Sequence, residues 1–504
     1  MSTYHLPAPY TLRNINRFFW LFLVIHTLLW TLGPALLRPT VPHDTLEGIS
    51  WGLQWQLGYN KHPFLAAWLC AGITQLFATV GWPVYLLAQL AVTTTFIAVW
   101  KLARLFAPPI HAVIATLALE GVLFYNLNSF NFTPDTLQSP LWALLALFFY
   151  QAIETQKTRY WLSTAVVAAL CVCTKYQVGI LFIPMLLLCI INPTARQSFK
   201  KPGLYYALLT FLVLITPHLV WLYQHDFVTI NYAVDAPMHA DKKITGLKHF
   251  LNPVHFLLNN ILYVIGVFVL LFPFYFKDKM DWSLTRFQWQ FLLFLGLGPI
   301  TLSLLMAFIT GNLYAIRWST PYYFALGILI IALVKPSLTP KSLKQFFIAL
   351  VVLSTLLFSL RMLSLSVHPR PNSDAFLPNK KIAVYLSDFW QKQYHSPLPY
   401  LAGSNYLVAG VAPYMQDKPI PYLSCLQSAS FWINEHEMRQ KGAIFIWDTD
   451  KNYSWDQNSE KHIRLTKELM KRFPEIQILP PLTFYRLSNQ KPIRISIAII
   501  PPKA

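Results

Sequence analysis

Charge is what this chain has least of. Only 12% of its 504 residues are Asp, Glu, Lys or Arg, while 55% are hydrophobic and 15% aromatic. Soluble domains carry roughly 25% charged residues. Half that density cannot cover a water-facing surface, so a wholly soluble fold is excluded. Acidic residues are scarcer still, 21 against 40 basic ones, for a net charge of +19. In a soluble protein that excess would point to nucleic acid. Here Lys and Arg stand between apolar runs, the pattern that orients a chain in a bilayer, and no nucleic-acid partner is expected. Cysteine is sparse as well. Cys70, Cys171, Cys173 and Cys189 lie in apolar segments and Cys425 stands alone in the polar tail. That is neither a disulfide framework nor a zinc spacing, and Cys171 and Cys173 read as small core residues. Internal repeats and low-complexity linkers are missing too.

What the chain does have is long apolar runs. The first follows Arg13 and Arg17 and extends to Leu37, where Arg38-Pro39 replaces any small-residue cleavage site. It reads as an uncleaved membrane span. Further runs lie at 64–80, 83–105, 109–126, 137–153, 160–174, 177–191, 203–223, 253–276, 288–309, 317–334 and 346–366.

Whether run 64–80 crosses decides the sidedness of everything after it. If it does not, one side holds Arg13, Arg17, Lys101, Arg104, Lys157, Arg159, Arg196, Lys200, Lys201, Lys277, Lys279, Arg286, Lys335, Lys341 and Lys344. The other side then holds only Arg38, Lys61, Lys175, Lys242, Lys243, Lys248 and Arg317. If it does cross, the balance largely reverses. Positive charge stays inside, so 64–80 is expected to be a surface or re-entrant helix.

The expected architecture is an all-α polytopic bundle of about 11–13 spans over residues 1–366. It has a cytoplasmic N-terminus, a first outer loop at 38–63 and a surface helix at 64–80. A soluble α/β domain over residues 367–504 follows on the outer side. In that domain Ala443–Trp447, Ile476–Leu479 and Ile493–Ile500 read as strands and Glu460–Phe473 as an amphipathic helix.

Two outer loops hold candidate chemistry. The first, RPTVPHDTLEGISWGLQWQLGYNKHP, carries Asp44 and Glu47, then Trp51, Trp55 and Tyr59 at a spacing of four that predicts one helical face. Asp44-Thr45-Leu46-Glu47 also fits a capping box, so capping and catalysis are both open for Asp44. The second loop, NLNSFNFTPD, ends on Asp135, which again fits either a helix cap or a functional acid. Glu120 lies within a span and is either a functional acid or one held by a buried partner. Lys175, Arg317, Lys242 and Lys243 near the outer ends of spans suit a phosphate, although snorkelling explains Lys175 and Arg317 equally well. His218, His225, His239, His249 and His255 show no metal-ligand spacing and read as ordinary loop and interface residues.

Several stretches together resemble one family. They are His43–Trp51, Gly58–Leu65, TPDTL at 133–137, TKYQ at 174–177 and RWSTPYYFAL at 317–326, followed in the tail by SNYLVAGVAPYM, Pro-Ile-Pro-Tyr and Ala-Ile-Phe-Ile. This order resembles the aminoarabinose-transferase and protein-mannosyltransferase-like (PMT_2-like) branch of the GT-C glycosyltransferases, over nearly the whole chain. The branch has a second proline where this chain has Phe64.

The resemblance implies transfer, with inversion, of a sugar from a polyprenyl-phosphate donor on the outer face. The acceptor would be a lipid resembling lipid A, a protein or a glycan, and the setting a bacterial inner membrane. It implies catalytic roles for Asp44 and Asp135, with Glu47 beside them. It implies donor phosphate or sugar contacts from His62, with Tyr59, Lys61, Lys175, Tyr176 and Arg317 contributing. Asp135 lacks the neighbouring acid of the metal-dependent branch, so no metal or other cofactor is expected. Asp44, Asp135 and Arg317 are expected around one cavity. A lipid or glycan transporter would also show many spans, but with repeats and broken helices at mid-membrane. A purely structural protein would need no such acids.

Overall fold

The computed structural model describes residues 10–235, 246–366, 374–449, 467–485 and 492–503. Lys242, Lys243, His239 and the first part of the expected helix 460–473 lie outside them. The helices run, in chain order, α1 (Leu12–Leu37), α2 (His43–Gly52), α3 (Leu65–Leu76), α4 (Trp82–Ala103), α5 (Pro109–Leu117) and α6 (Pro134–Thr155). Then follow α7 (Thr158–Val172), α8 (Gly179–Ile191), α9 (Pro193–Arg196), α10 (Pro202–Gln224), α11 (Val228–Asp235), α12 (Lys248–Leu271) and α13 (Arg286–Thr310). The last are α14 (Leu326–Val334), α15 (Pro340–Ser366), α16 (Asn379–Tyr394), α17 (Asn405–Val411), α18 (Glu435–Lys441) and α19 (Lys467–Arg472). Five strands, β1 (Tyr400–Gly403), β2 (Ile420–Leu423), β3 (Ala443–Asp448), β4 (Gln477–Phe484) and β5 (Ile493–Ile500), complete the described elements.

The chain divides into two compact units. The first comprises residues 1–33, 85–223 and 233–363; the second comprises 34–84, 224–232 and 364–504.

The first unit is a helical membrane bundle. Among the described residues seven helices are long and apolar enough to cross a bilayer: α1, α4, α6, α10, α12, α13 and α15. The helix beginning at Tyr176 and its continuation Pro193–Lys200 make an eighth candidate, bent by 91°. The apolar runs at 109–126, 160–174 and 317–334 form shorter helices, α5 with its 3-10 extension, α7 and α14.

The bundle is apolar outward. Leu21, Val24, Leu28 and Leu32 of α1, Leu208, Leu209 and Leu212 of α10, and Val351, Val352 and Leu356 of α15 are all exposed. In lipid those residues lie in a matching solvent, and the helices satisfy their own backbone. The helices differ in depth. The apolar stretch of α6 is 83% buried, that of α15 only 17%. Helix α6 is therefore central; it packs on α7, while α13 packs on α8 and α12 and α5 on α14.

The second unit is built on a five-stranded sheet ordered β2-β1-β3-β5-β4, with β1 parallel to β2 and β3, and β5 antiparallel to β3 and β4. All three expected strands are present. Alternate strand residues feed two cores. Leu401, Leu423, Ile444, Ile446 and Ile495 meet α16 and α17 on one face. Tyr400, Tyr422, Phe445 and Ala498 meet Met438 of α18, Leu469 of α19 and Phe473 just beyond it on the other. Pro480-Pro481 sits where the β4–β5 register shifts, on an edge strand, the position a sheet tolerates for proline.

The loop at 38–63 belongs to this unit. Trp51, Tyr59 and Ala67 enter the core formed with α16 and α17. Within run 64–80 the chain forms α3, and α2 packs against it so closely that a Cβ on Gly52 would stand 2.0 Å from the Ala67 carbonyl oxygen. Trp51, Trp55 and Tyr59 do not share a helical face. Helix α2 ends at Gly52, Trp55 takes φ 48°, and the chain turns back through a short Gly58–Pro63 pairing. Trp51 still stacks on Tyr59 at 5.5 Å, while Trp55 goes to Trp68 at 5.4 Å.

Candidate functional site

In the bundle, the N-terminal end of central helix α6 gathers one group of the candidate residues. Thr133, not Asp135, caps the helix, accepting from the Thr136 amide at 3.4 Å. Asp135 sits in the first turn, where the helix dipole favours an anion. Its Oδ1 accepts from Lys175 Nζ, and both side chains are nearly buried, 11% and 12% exposed. Snorkelling therefore does not describe Lys175, which turns inward.

Gln138, one turn on from Asp135, donates to the carbonyls of Cys171 (2.8 Å) and Lys175 (3.2 Å) and accepts from the Trp142 indole. It thereby ties the loop that carries Lys175 to the central helix. The ammonium also lies 5.3 Å from the centre of the Trp318 ring, a cation–π distance. Trp318 follows Arg317 in a 3-10 turn, Ile316–Ser319, in which Arg317 is exposed. Gln177 donates to the Trp318 carbonyl and to the Tyr322 hydroxyl (2.9 Å), which meets Ser303 Oγ at 2.9 Å.

Tyr176 Oη lies 2.7 Å from His218 Nε2, and His218 stacks on Trp221. His218 is thus a buried partner on α10 and no loop residue. Asp135, Lys175 and the Arg317–Trp318 turn are gathered, with Tyr176 next in the chain. Glu120 is fully buried elsewhere in the bundle, with His26 Nδ1 3.3 Å from its carboxylate, which matches the buried-partner alternative.

The second unit carries Asp44, Glu47, Tyr59, Lys61 and His62. Helix α2 begins at His43 with Pro42 as its cap, and no side chain caps it. The capping box does not form: Asp44 is exposed, and Glu47 is buried and turned to other partners. Glu47 Oε1 accepts from Lys61 Nζ and from Asn405 Nδ2, each at 2.8 Å. Burial pushes the Glu47 carboxyl up. Lys61 and His43 nearby, with the hydrogen bonds from Lys61 and Asn405, outweigh it and hold the group below the usual carboxylate value. The Tyr59 amide donates to the His62 carbonyl at 3.0 Å, closing the turn that carries Lys61 and His62. The Lys61 ammonium lies 5.8 Å from the centre of the Trp51 ring, and His62 meets Trp51 edge-on at 6.4 Å.

Gln138, Trp318 and Asn405 were given no role from the sequence, and His218 was read as a loop or interface residue where it is a buried partner of Tyr176. A glutamine one turn from an acid in an otherwise apolar helix is a signal that could have found Gln138. Nothing local marks Asn405. Among the described residues no group of three or more His, Cys, Asp or Glu side chains is placed to hold a metal ion.

The model of the PMT_2 family, dolichyl-phosphate-mannose-protein mannosyltransferase, matches residues 61–221. No curated protein matches by sequence. Among solved structures, ArnT from Cupriavidus metallidurans bound to undecaprenyl phosphate superposes with a TM-score of 0.63 at 13% identity, covering 96% of this chain and 98% of that one. The apo form of the same protein gives 0.60 at 12% identity, with the same coverage. Residues 61–221 thus carry the sequence signature of the PMT_2 family, and the chain as a whole has the fold of ArnT, a polytopic membrane bundle with a C-terminal α/β region.

Proposed function

We propose that this chain is an inverting glycosyltransferase that moves a sugar from a polyprenyl-phosphate donor to a lipid, protein or glycan acceptor at the outer face of the membrane. The observation that carries the reading is the inward-turned Lys175, paired with Asp135 at the end of the central helix and backed by Trp318. A nearly buried ammonium beside an aromatic ring, in a bundle whose outer surface is lipid-like, suits a phosphate on an apolar tail. The likeness to a protein whose crystal structure holds undecaprenyl phosphate supports the same donor class.

In this reaction the bond between the anomeric carbon and the phosphate oxygen breaks, and the polyprenyl phosphate leaves with its electron pair. Lys175 and Arg317 supply the positive charge that meets it, Arg317 able to grip two oxygens at once. Asp135 holds Lys175 in place. An acceptor oxygen attacks the opposite face of the sugar, which inverts the centre. Asp44, exposed on α2, takes the proton of an acceptor hydroxyl, and with a phosphate acceptor it orients rather than deprotonates. His62 and Lys61, carried on their tight turn, contact the donor. No metal ion or cofactor is assigned a role. The expected setting is a bacterial inner membrane, with the α/β region on the periplasmic side.

The test is release of polyprenyl phosphate from a synthetic polyprenyl-phosphate sugar by the full-length protein in nanodiscs. Asp44→Asn should lower that rate by about 10²-fold or more while donor binding persists. Full activity in Asp44→Asn removes Asp44 from the mechanism. A protein that moves labelled lipid between leaflets but never cleaves the sugar–phosphate bond is a transporter, and the reading is lost.

A further inference from the structure

The β2-β1-β3 half of the sheet reverses direction at β1. The connection from β1 through α17 leads one way, to β2; β3 lies on the other side. Helix α17 packs on one face of the sheet and α18 on the other. In open α/β sheets the crevice beyond the strand ends at such a reversal is where ligands bind. Here that place is taken by the chain itself. Gly403 ends β1 with φ 129°, where a Cβ would stand 2.0 Å from the Ile446 carbonyl oxygen, and the Ser404 amide donates to that same oxygen at 3.0 Å. The next residue, Asn405, reaches out of the crevice and donates to Glu47 on α2.

Further bonds lash the same segment to the domain. Ser50 Oγ donates to the Ala409 carbonyl (3.1 Å), Thr40 Oγ1 to the Leu377 carbonyl (2.9 Å) and the Val41 amide to Tyr414 Oη (3.2 Å). His43 packs on Tyr406 at 4.5 Å.

We propose that the α/β domain grips the helix bearing Asp44 at its strand-end crevice, and that Asn405, acting through Glu47, is a positioning residue for transfer. Glu47 is then a hub and not a reacting acid. It stands one turn after Asp44 on α2, and its single oxygen Oε1 receives both Asn405 and Lys61, the neighbour of His62. Moving Glu47 moves the acid and the His62 turn together. The inference rests on the transferase reading for its kinetic arm only.

The test uses the full-length protein and an exchange of hydrogen-bond partners. Asn405→Asp sets a second carboxylate against Glu47. It should lower kcat by about tenfold, since small misplacements of reacting groups carry penalties of that order or larger, with donor KM within about twofold. The double variant Asn405→Asp, Glu47→Gln restores donor, acceptor and net charge, and should recover kcat to within about threefold of wild type. A merely structural contact would alter the yield of folded protein and leave kcat of the folded fraction unchanged.

The second readout needs no substrate. Amide hydrogen exchange over residues 43–52 should rise in Asn405→Asp and return to wild-type protection in the double variant. Unchanged exchange in Asn405→Asp, or a double variant no better protected than the single, overturns the grip. If exchange responds as expected but the wild type transfers no sugar, the functional reading fails and the grip stands. If transfer occurs and exchange responds while kcat does not, the positioning role is refuted.

Discussion

The bundle and the second unit each bury a lysine–carboxylate pair, and the two are built differently. Lys175–Asp135 joins side chains 11–12% exposed, on a loop and on the most deeply buried spanning helix. Lys61–Glu47 joins a quarter-exposed lysine to a buried carboxylate that also has a neutral donor, Asn405. Both lysines lie near an aromatic ring, Trp318 for Lys175 and Trp51 for Lys61, but only the first pair has its geometry set from a distance by Gln138. The second is a three-member node in which Lys61 supplies the opposite charge and neutral Asn405 adds a second hydrogen bond to the same carboxylate oxygen. Burying ions is costly unless geometry and extra bonds repay it, so the better-sealed pair should also be the less forgiving one.

The largest effect is therefore expected in the bundle. Lys175→Met leaves the Asp135 carboxylate without its ammonium and should cost about 3–5 kcal/mol, the usual consequence of removing one member of a buried pair. The thermal midpoint in detergent should fall by many degrees. Lys175→Met with Asp135→Leu replaces the pair by apolar groups and should recover most of that stability while transfer stays lost. A single variant as stable as wild type would mean that Asp135 is well solvated, and the contrast between the two pairs would disappear.

Much of this was legible in advance, and what was not fails for identifiable reasons. The apolar runs, the three strands of the tail and a helix after His62-Pro63 follow from composition and periodicity, signals carried by neighbouring residues. The fold and family resemblance could be read from TPDTL, TKYQ and RWSTPYYFAL because those stretches keep their order along the chain. The capping box at Asp44 was locally sound and did not form. Glu47 found Lys61 14 residues on and Asn405 358 residues on, and those bonds outcompete a cap. The aromatic stripe failed likewise: close packing of Gly52 on Ala67 and the turn at Trp55 end the helix before Tyr59. Pairing across 40 residues, as between Asp135 and Lys175, leaves no periodic trace.

A smaller loss is expected at the second node. Lys61→Met removes one of two donors to Glu47, and Asn405 remains, so the cost should be about 1–3 kcal/mol, less than at Lys175. Equal losses in Lys61→Met and Lys175→Met would show that the third partner does not cushion the charge.

The smallest effect sharpens the same point through pH. The Glu47 carboxyl is held below its ordinary value in the fold, because Lys61, His43 and Asn405 outweigh the burial that pushes it up. A depressed acid stabilises the folded state at pH above its unfolded value, about 4.3. That contribution drains away as pH falls through the lower folded value. Wild type should therefore exceed Glu47→Gln in thermal midpoint at pH 6, and the gap should close on acidification below about pH 4.3, since glutamine does not titrate. A gap that persists unchanged to pH 3 would mean that Glu47 acts through its shape and hydrogen bonds, with its charge unimportant. The node would then differ from the bundle pair in kind as well as in degree.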